Sequence, residues 1–269
     1  MRGLITIYAI WLRDCKVFLR EPSRVVGSLA QPLLYLVIVG QGIASGLSLN
    51  QASGRVGYLQ FMYPGILGMS VLFTSIFSAI SIIWDREFGL LKEVLVAPVP
   101  RWGVALGKVL GGATVATAQA LVLIALAPLA GVALSALLAL ELLLICFLLS
   151  VAVTALGVCI AAGMRSMQGF QVVMNFLVMP LYFLSGAMFP IASAPAWMRA
   201  LMVLDPLSYG VDALRNVVFA GTPTGAESLQ VVARAQGLVR WDLSFDVALL
   251  ALAAGLLAAA SALRFSRAS

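Results

Sequence analysis

The chain has 269 residues, of which 62% are hydrophobic and only 10% are charged; its net charge is +6 and its mean hydropathy is +1.05. Soluble domains are usually about half apolar and about a quarter charged, so this composition argues against a soluble enzyme and rules out a disordered chain. The sequence contains no histidine, which removes Ser-His and Cys-His nucleophile pairs and histidine-based metal sites. The bilayer is the solvent that suits such a chain, and its basic charge then indicates cytoplasmic lysine and arginine more than a nucleic-acid surface.

The first predicted element is an amphipathic helix over residues 4–22. Its apolar side chains recur at helical spacing, and its charged side chains lie elsewhere around the helix. A helix of this type lies in the headgroup plane of a membrane and does not cross it. Glu21 and Pro22 end the helix. We therefore expect an N-terminal cytoplasmic segment, 1–24, at the membrane interface.

Six apolar runs follow, each long enough to cross a bilayer as a helix of about 20 residues. Pro32 lies inside the first run and Pro180 inside the fifth, and membrane helices tolerate proline when neighbouring groups satisfy the freed carbonyl. The predicted fold is therefore an all-α membrane protein with six transmembrane helices in one domain, 25–269. The predicted spans are 25–46, 62–84, 109–130, 137–162, 170–190 and 247–263.

Lysine and arginine in the connections set the predicted orientation. With the N-terminus in the cytoplasm, twelve of the 17 basic residues fall inside, and four of the other five lie in one long outer segment, where the rule counts least. Both termini are then cytoplasmic. The twelve are Arg2, Arg13, Lys16, Arg20, Arg24, Arg86, Lys92, Arg101, Lys108, Arg165, Arg264 and Arg267.

The link between spans two and three, 85–108, is the most distinctive cytoplasmic segment. Phe88, Leu91 and Leu95 form a short apolar stripe with mixed charges around it, and two prolines end the predicted helix abruptly. A short charged helix that projects from a membrane bundle suits a docking element for a soluble partner, but spacing alone favours an ordinary solvated hairpin equally. The candidate docking residues are Asp85, Arg86, Glu87, Phe88, Gly89, Leu91, Lys92, Glu93, Pro98, Pro100 and Arg101.

Two polar faces lie within the predicted spans. Hydroxyl side chains recur along one face of span two, and amide side chains recur along one face of span five. Such faces either hold helices together or line a path for a substrate. The candidate residues are Ser70, Thr74, Ser78, Gln171, Asn175 and Tyr182.

The segment before the last span, 191–246, is the longest one that is not predicted to cross. Apolar residues at helical spacing predict two short helices, which Asp205 and Pro206 separate. Charged side chains make a simple crossing costly, so both helices are expected to lie at the outer interface or to dip into it.

The sequence shows no nucleotide site of its own. The nearest match to a P-loop begins at Gly103, but it lacks one spacer residue and the Ser or Thr hydroxyl. Gly103, Gly107 and Gly111 instead form consecutive small-residue steps that let helices approach closely. No catalytic residue, cofactor or metal is therefore expected in this chain.

Three stretches carry a family resemblance. The first is Tyr63-Pro-Gly-Ile-Leu67, the second runs from Trp84-Asp-Arg-Glu-Phe-Gly89 to Ala97-Pro-Val-Pro-Arg101, and the third contains Phe189-Pro190, Pro195-Ala-Trp197 and residues 205–215. The chain resembles, over nearly its whole length, the permease subunit of type-2 ATP-binding cassette (ABC) exporters, such as daunorubicin-resistance and nodulation-factor export permeases. Asp205 departs from the asparagine more often found before Pro-Leu.

The resemblance implies a subunit of an ATP-driven exporter of hydrophobic or amphipathic drugs, lipids or glycans in a bacterial inner membrane. Two separate ABC ATPase subunits, which bind ATP and Mg, would dock from the cytoplasm against the link 85–108. A second permease chain, identical or similar, would complete the path, and no nucleic acid is expected as a partner. The stretch after span five would form re-entrant outer helices with the cap residues Phe189, Pro190, Trp197, Asp205, Pro206, Tyr209, Asp212 and Arg215.

Three other classes of function are alternatives to an ABC permease. An ATP-independent secondary carrier would need charges within the membrane or an internal repeat, and neither is evident. A membrane enzyme would need a base or a metal cluster. A structural membrane subunit without transport activity is not distinguished from an exporter by the residues alone.

Overall fold

The computed structural model describes residues 2–39, 58–88, 99–164, 166–221, 233–234 and 237–267. Within these ranges the chain is almost entirely α-helical and forms no β-strand. The described helices are α1 (Arg2–Arg20), α2 (Pro22–Leu34), α3 (Tyr58–Ser78), α4 (Ile80–Glu87), α5 (Arg101–Ala125), α6 (Ala136–Ala162), α7 (Met167–Leu184), α8 (Ala196–Met202), α9 (Pro206–Ala220) and α10 (Leu243–Arg267).

Five stretches are long and apolar enough to cross a membrane: α3 continued by α4, then α5, α6, α7 and α10. They correspond to predicted spans two to six. The predicted first span begins with α2 and a π-helical turn, Tyr35–Val39, and its remaining residues lie outside the described ranges. Five of the six predicted crossings thus have a helix of sufficient length, and the first stays a prediction.

All five membrane-length helices begin before the residue that the hydropathy pattern predicts, and the difference is largest for span three. Span three begins at Arg101 instead of residue 109, because Pro100 occupies the N-cap position and the small residues that follow continue the helix. The last helix begins at Leu243 instead of residue 247. As a result Lys108 and Asp246, which were expected in connections, both lie within helices.

The centre of the bundle is α6. Its sequence is apolar on all sides, which is typical of a helix surrounded by protein or lipid, and it packs against α3, α5, α9 and α10. Glycines on α5 and α6 face the point where α3 ends and α4 begins, at Ala79. A Cβ at Gly157 would lie 3.1 Å from the Ala79 Cβ, and one at Gly112 would lie 3.0 Å from the Cβ of Ser78, the last residue of α3. Small residues therefore allow close packing around the break in span two.

The Pro-Gly pair near the start of α3 is explained by a close approach of the turn after α7. A Cβ at Gly65 would lie 2.7 Å from the Ala187 carbonyl oxygen, which belongs to the turn after α7. This turn requires Gly186, whose φ of 73° is in the left-handed region. The Tyr63–Leu67 motif thus allows this turn to pack directly on span two.

In the described part of the segment before the last span there are two α-helices, α8 and α9, and α9 begins at Asp205 and Pro206, as the sequence predicts. Pro206 is at the first helical position of α9, and the Asp205 side chain caps the helix by accepting a hydrogen bond from the Leu207 N–H. Nearly all of α9 is buried among α3, α6 and α10.

Candidate functional site

A cluster of four charged side chains lies at the end of span two where the predicted docking link begins. The Lys108 ammonium is 2.8 Å from Asp85 and 3.2 Å from Asp14, and it also bonds Ser81 at 3.0 Å. The Arg13 guanidinium is 2.5 Å from Asp85 and 3.2 Å from Asp14. Two cations and two carboxylates therefore neutralise one another, and we call these four residues the ion cluster.

The ion cluster depends on the close approach of α1 to α5. Gly103, Gly107 and Gly111 all face α1, and a Cβ at Gly107 would lie 2.8 Å from the Ile10 Cβ. The predicted role of this glycine stripe in close helix packing is confirmed. At Gly111 the facing side chain is Asp14, so the same stripe brings the Asp14 carboxylate to Lys108.

The two residues after Asp85 join span two to the other spans. The Arg86 guanidinium donates to the carbonyl oxygens of Met164 (2.5 Å) and Ala162 (3.2 Å), where α6 ends. Cations are favourable at this end of a helix because its last carbonyls lack partners. The Glu87 carboxylate accepts a hydrogen bond from the Met167 N–H, at the start of α7.

Unlike the three residues before it, which make the polar contacts described above, Phe88 presents an apolar side chain that is 76% exposed. It is the last described residue before the link. Pro100 and Arg101 begin α5, and the Arg101 guanidinium lies 3.4 Å from the Ser266 carbonyl near the end of α10. The other candidate docking residues, and most of the predicted docking helix, lie outside the described ranges: Gly89, Leu91, Lys92, Glu93 and Pro98.

The polar face of span two packs against α5. The Thr74 hydroxyl and the Gln119 side-chain oxygen form a hydrogen bond, and the Ser78 hydroxyl donates to its own helix at Ser75. Ser70 is buried. Thr74 and Ser78 also border cavities, so the two interpretations of this face, helix packing and a ligand path, apply to the same residues.

The polar face of span five has a different environment. Gln171 and Asn175 are exposed on α7, beside Phe176, which is 81% exposed. Tyr182, further along α7, is buried, and its hydroxyl lies 3.5 Å from the Met188 sulfur. The amides of α7 thus face away from the rest of the described chain.

Arg215 anchors the outer cap. Its side chain is fully buried, its Nη2 donates to the carbonyl oxygens of Gly186 (2.6 Å) and Ala187 (3.1 Å), and its guanidinium lies 4.3 Å from the Phe61 ring centroid. It therefore connects α9, the turn after α7 and the outer end of span two.

The remaining cap residues are arranged around α9. The Asp212 carboxylate accepts hydrogen bonds from the N–H groups of Arg240 and Trp241, and the Tyr209 hydroxyl donates to the Val203 carbonyl. Phe189 and Pro190 precede a single 3-10 turn, and the Trp197 side chain on α8 is exposed. The cap residues thus do not form one cluster.

Burial raises the pKa of Asp205 to about 7, because water is excluded from its carboxyl group; the hydrogen bond from Leu207 only partly compensates. An acid at this position is consequently half protonated near neutral pH. An asparagine, which is more usual in the resembling family, would keep the helix cap without a charge to bury.

Several functional side chains escape prediction from the sequence. Arg13 and Asp14 are unremarkable on an amphipathic helix, and Lys108 is predicted in a loop because α5 is predicted to begin after it. Asn216 donates to Asp246 and to the Trp241 carbonyl, which ties α9 to the last helix. The sequence offers one signal for these contacts. A charged residue such as Lys108 or Asp246 is costly in a membrane helix, so its presence there indicates a partner on another helix. In the described part of the chain, no group of three or more Cys, Asp and Glu residues is arranged to hold a metal ion.

This fold, with five membrane-length helices, an ion cluster near one end of span two and the predicted cap near its other end, defines a polytopic helical membrane protein. The chain belongs to the ABC-2 type transporter family, whose family model matches residues 6–219. The family resemblance drawn from the three stretches is thereby confirmed, and the chain is a transport permease.

Three similar proteins support the same assignment. A putative transport permease, ycf38, of Cyanophora paradoxa is 28% identical over 198 residues, which cover 73% of this chain and 68% of the relative. Nodulation protein J of Rhizobium leguminosarum bv. viciae is 26% identical over 85% of this chain and 88% of its own length. The probable multidrug ABC transporter permease YbhR of Escherichia coli is 24% identical over 62% of this chain and 46% of its own length.

Proposed function

We propose that this chain is the permease subunit of an ATP-driven exporter, that a second identical or similar chain completes its path, and that two separate ABC ATPase subunits drive it. ATP and Mg would bind to those ATPases. The observation that carries the proposal is the end of span two, where three consecutive side chains connect four other helices and the fourth, Phe88, points into solvent.

The arrangement provides a physical route from the link to the spans. Asp85 holds α1 and α5 through the ion cluster, Arg86 holds the end of α6, and Glu87 holds the start of α7. An ATPase that displaces the link would therefore pull on all of these helices together. A conformational change follows only if the ATPase makes different contacts with the inward-open and outward-open packings.

In this proposal Asp85, Arg86 and Glu87 position the coupling segment, and Phe88 begins its contact surface. The link residues Gly89, Leu91, Lys92, Glu93, Pro98, Pro100 and Arg101 complete that surface as the resemblance implies. The membrane is a bacterial inner membrane, α2 begins a sixth span, both termini are cytoplasmic, and α8 and α9 form a re-entrant cap at the outer side.

The surface of this chain that contacts the second permease chain includes α7. The exposed faces of α7 and α10 differ: α10 exposes Leu252, Leu256 and Leu263, whereas α7 exposes Gln171 and Asn175 among its apolar side chains. Amides in contact with hydrocarbon lack hydrogen-bond partners. We therefore place α7 against the second chain or the path, and α10 against lipid.

The substrate class follows from chemistry and from relatives. Of the three relatives described above, one is named for nodulation and one for multidrug transport. A path flanked by amides, methionine and aromatic residues suits a hydrophobic or amphipathic compound, such as a drug, lipid or glycan.

Capture of the ATPase tests the proposal. The permease is co-expressed with the ABC ATPase encoded beside it, extracted in mild detergent and purified through a tag on the permease alone. Phe88→Arg is expected to reduce the captured ATPase at least tenfold, because it places a hydrated cation in an apolar contact. The matched control is Leu263→Arg, at an exposed site beside Arg264 near the end of α10, where the arginine reaches water. Equal capture by the two variants contradicts docking at this end of span two.

Disulfide cross-linking tests the second chain. In a background without Cys15, Cys146 and Cys159, Asn175→Cys is expected to form a dimer upon mild oxidation in membranes, and Leu256→Cys is expected to stay monomeric. Cross-linking through Leu256→Cys alone would mean that α10, and not α7, faces the second chain.

A further inference from the structure

A cavity of about 310 Å³ lies between α1, α2, α3 and α5, inside a single chain. It is separate from the exposed amide face of α7, so it does not depend on a second copy. Its volume is within the range of small-molecule sites, roughly 300 to 1,000 Å³. Its lining is unusual for a gap between membrane helices, because it combines aromatic rings with two amides and a hydroxyl: Phe18, Phe73 and Phe77 with Gln31, Thr74 and Gln119.

The aromatic wall favours a flat ligand. The rings of Phe73 and Phe77 lie one turn apart on α3, with centroids 6.2 Å apart and planes inclined by 26°. The two rings are stacked and nearly parallel, and with Phe18 of α1 they present aromatic surface to the same space. Aromatic rings stack on such a surface with an added stabilisation of about 1 kcal/mol beyond apolar burial.

The polar groups favour a ligand with its own hydrogen-bonding group. Gln119 is 2% exposed and lies deep in the cavity, where its side chain is bonded to Thr74. Gln31 is exposed on α2 and borders the cavity from the surface side. A hydrocarbon chain would fill the space but would cover the Gln31 amide without offering it a hydrogen bond, which is costly in an apolar medium.

The charge balance favours a neutral ligand. A smaller cavity of about 50 Å³ shares Phe18 and Val115 with the first and leads to Asp14. Asp14 belongs to the ion cluster, in which the two carboxylates are already matched by Arg13 and Lys108. No uncompensated charge of this cluster is therefore available to attract an ion to the cavity.

We propose that this cavity is a binding site for an uncharged aromatic amphiphile that carries an amide, carbonyl or hydroxyl group, entering between α1 and α2. That the bound compound is also the exported one rests on the proposed function; the binding itself does not. Three phenylalanine rings take the flat body, and Gln119 with Gln31 takes the polar group.

Photo-crosslinking to the purified permease in lipid nanodiscs, without any ATPase, tests this site. The probe is the N-propyl amide of benzophenone-carboxylic acid, and the labelled peptides are mapped by mass spectrometry. Labelling is expected within α3 and the end of α1. Benzanilide should compete with the probe, and N-hexylheptanamide, an aliphatic amide with the same number of heavy atoms, should compete at least tenfold more weakly.

Matched variants separate the cavity from general partitioning into lipid. Val115→Phe fills the cavity from α5 and is expected to remove at least nine-tenths of the labelling. Val122→Phe makes the same change two turns along α5, at a side chain that is 42% exposed, and should leave labelling unchanged. Gln119→Leu should weaken competition by benzanilide about tenfold, the effect of one lost hydrogen bond of roughly 1.4 kcal/mol.

Each outcome decides the proposal. Labelling that spreads over lipid-facing residues and ignores Val115→Phe overturns it, as does equal competition by the aromatic and aliphatic amides. If Val115→Phe lowers the melting temperature, the Gln119→Leu competition, measured on a variant that melts as the wild type does, still decides. A negative result in the labelling experiment does not affect the ATPase capture experiment. The proposed function is therefore tested independently of this site.

Discussion

Replacement of Lys108 by methionine probes the ion cluster most sharply. The Lys108 side chain is 3% exposed, and methionine has a similar volume without the charge. At an effective dielectric of about 20, its attraction to Asp85 at 2.8 Å and to Asp14 at 3.2 Å is about 6 and about 5 kcal/mol. Most of this gain offsets the cost of removing the three charges from water.

The variant leaves two carboxylates to share one cation. Arg13 still contacts both Asp14 and Asp85, so the loss should lie near the lower end of the 3–5 kcal/mol typical of a broken buried pair. A destabilisation of about 3 kcal/mol corresponds to a fall in melting temperature of roughly 6 °C or more. The measurement is thermal unfolding of the purified permease in detergent, followed by intrinsic tryptophan fluorescence.

A control variant and a double variant test whether the ion cluster stabilises the fold. Arg234→Met breaks an ion pair with Asp242 of similar length, 2.7 Å, but the two side chains are 47% and 71% exposed, so the expected loss is below about 1 kcal/mol. Adding Asp14→Asn to Lys108→Met restores charge balance and should recover at least half of the lost stability. If Lys108→Met melts like the Arg234→Met control, or if the second change deepens the loss, the ion cluster does not stabilise the fold as argued.

Three further predictions concern the cap and the glycine contacts. Because the pKa of Asp205 is raised to about 7, its ionisation costs stability as the pH rises from about 4 to 7, so Asp205→Asn should increase the free energy of unfolding at pH 8 by up to about 4 kcal/mol, seen as a higher melting temperature, and leave the melting temperature nearly unchanged near pH 4. Gly65→Ala should destabilise the permease by about 1–3 kcal/mol in the same melting assay, because its Cβ meets the Ala187 backbone, whereas Gly255→Ala, with no atom within 4 Å of its Cβ, should be neutral. Gly107→Ala should separate α1 from α5 and accelerate amide hydrogen exchange in α1, with α6 exchange unchanged.

Much of the fold can be predicted from hydropathy and from the residues that end helices. Five predicted spans have helices of sufficient length, and Glu21 with Pro22 marks the boundary between α1 and α2. The boundary of α5 was wrong by two turns, because hydropathy ends a span at its first charge. Lys108 can lie within a membrane-length helix because its charge is paired with Asp14 and Asp85. A hydropathy average over neighbouring residues contains no information about such pairing.

The ion cluster and the cavity could not be predicted because their members are distant in sequence. Lys108 lies 94 residues from Asp14, and Arg13 lies 72 residues from Asp85. Helical periodicity identifies which side chains share a face, as it did for Thr74 and Ser78, but it does not specify which helix packs against that face. The glycine stripe on α5 predicted a close approach without naming α1 as the neighbour.

The central claim is that this permease is driven by a separate ATPase, and ATP turnover in nanodiscs tests it most directly. The ATPase is measured alone, with the wild-type permease and with Phe88→Arg, and the permease is measured alone. We expect turnover to change severalfold when the wild-type permease is present, to return to the value of the isolated ATPase with Phe88→Arg, and to be absent from the permease alone. ATP hydrolysis by the purified permease, or identical turnover with and without it, would contradict the account.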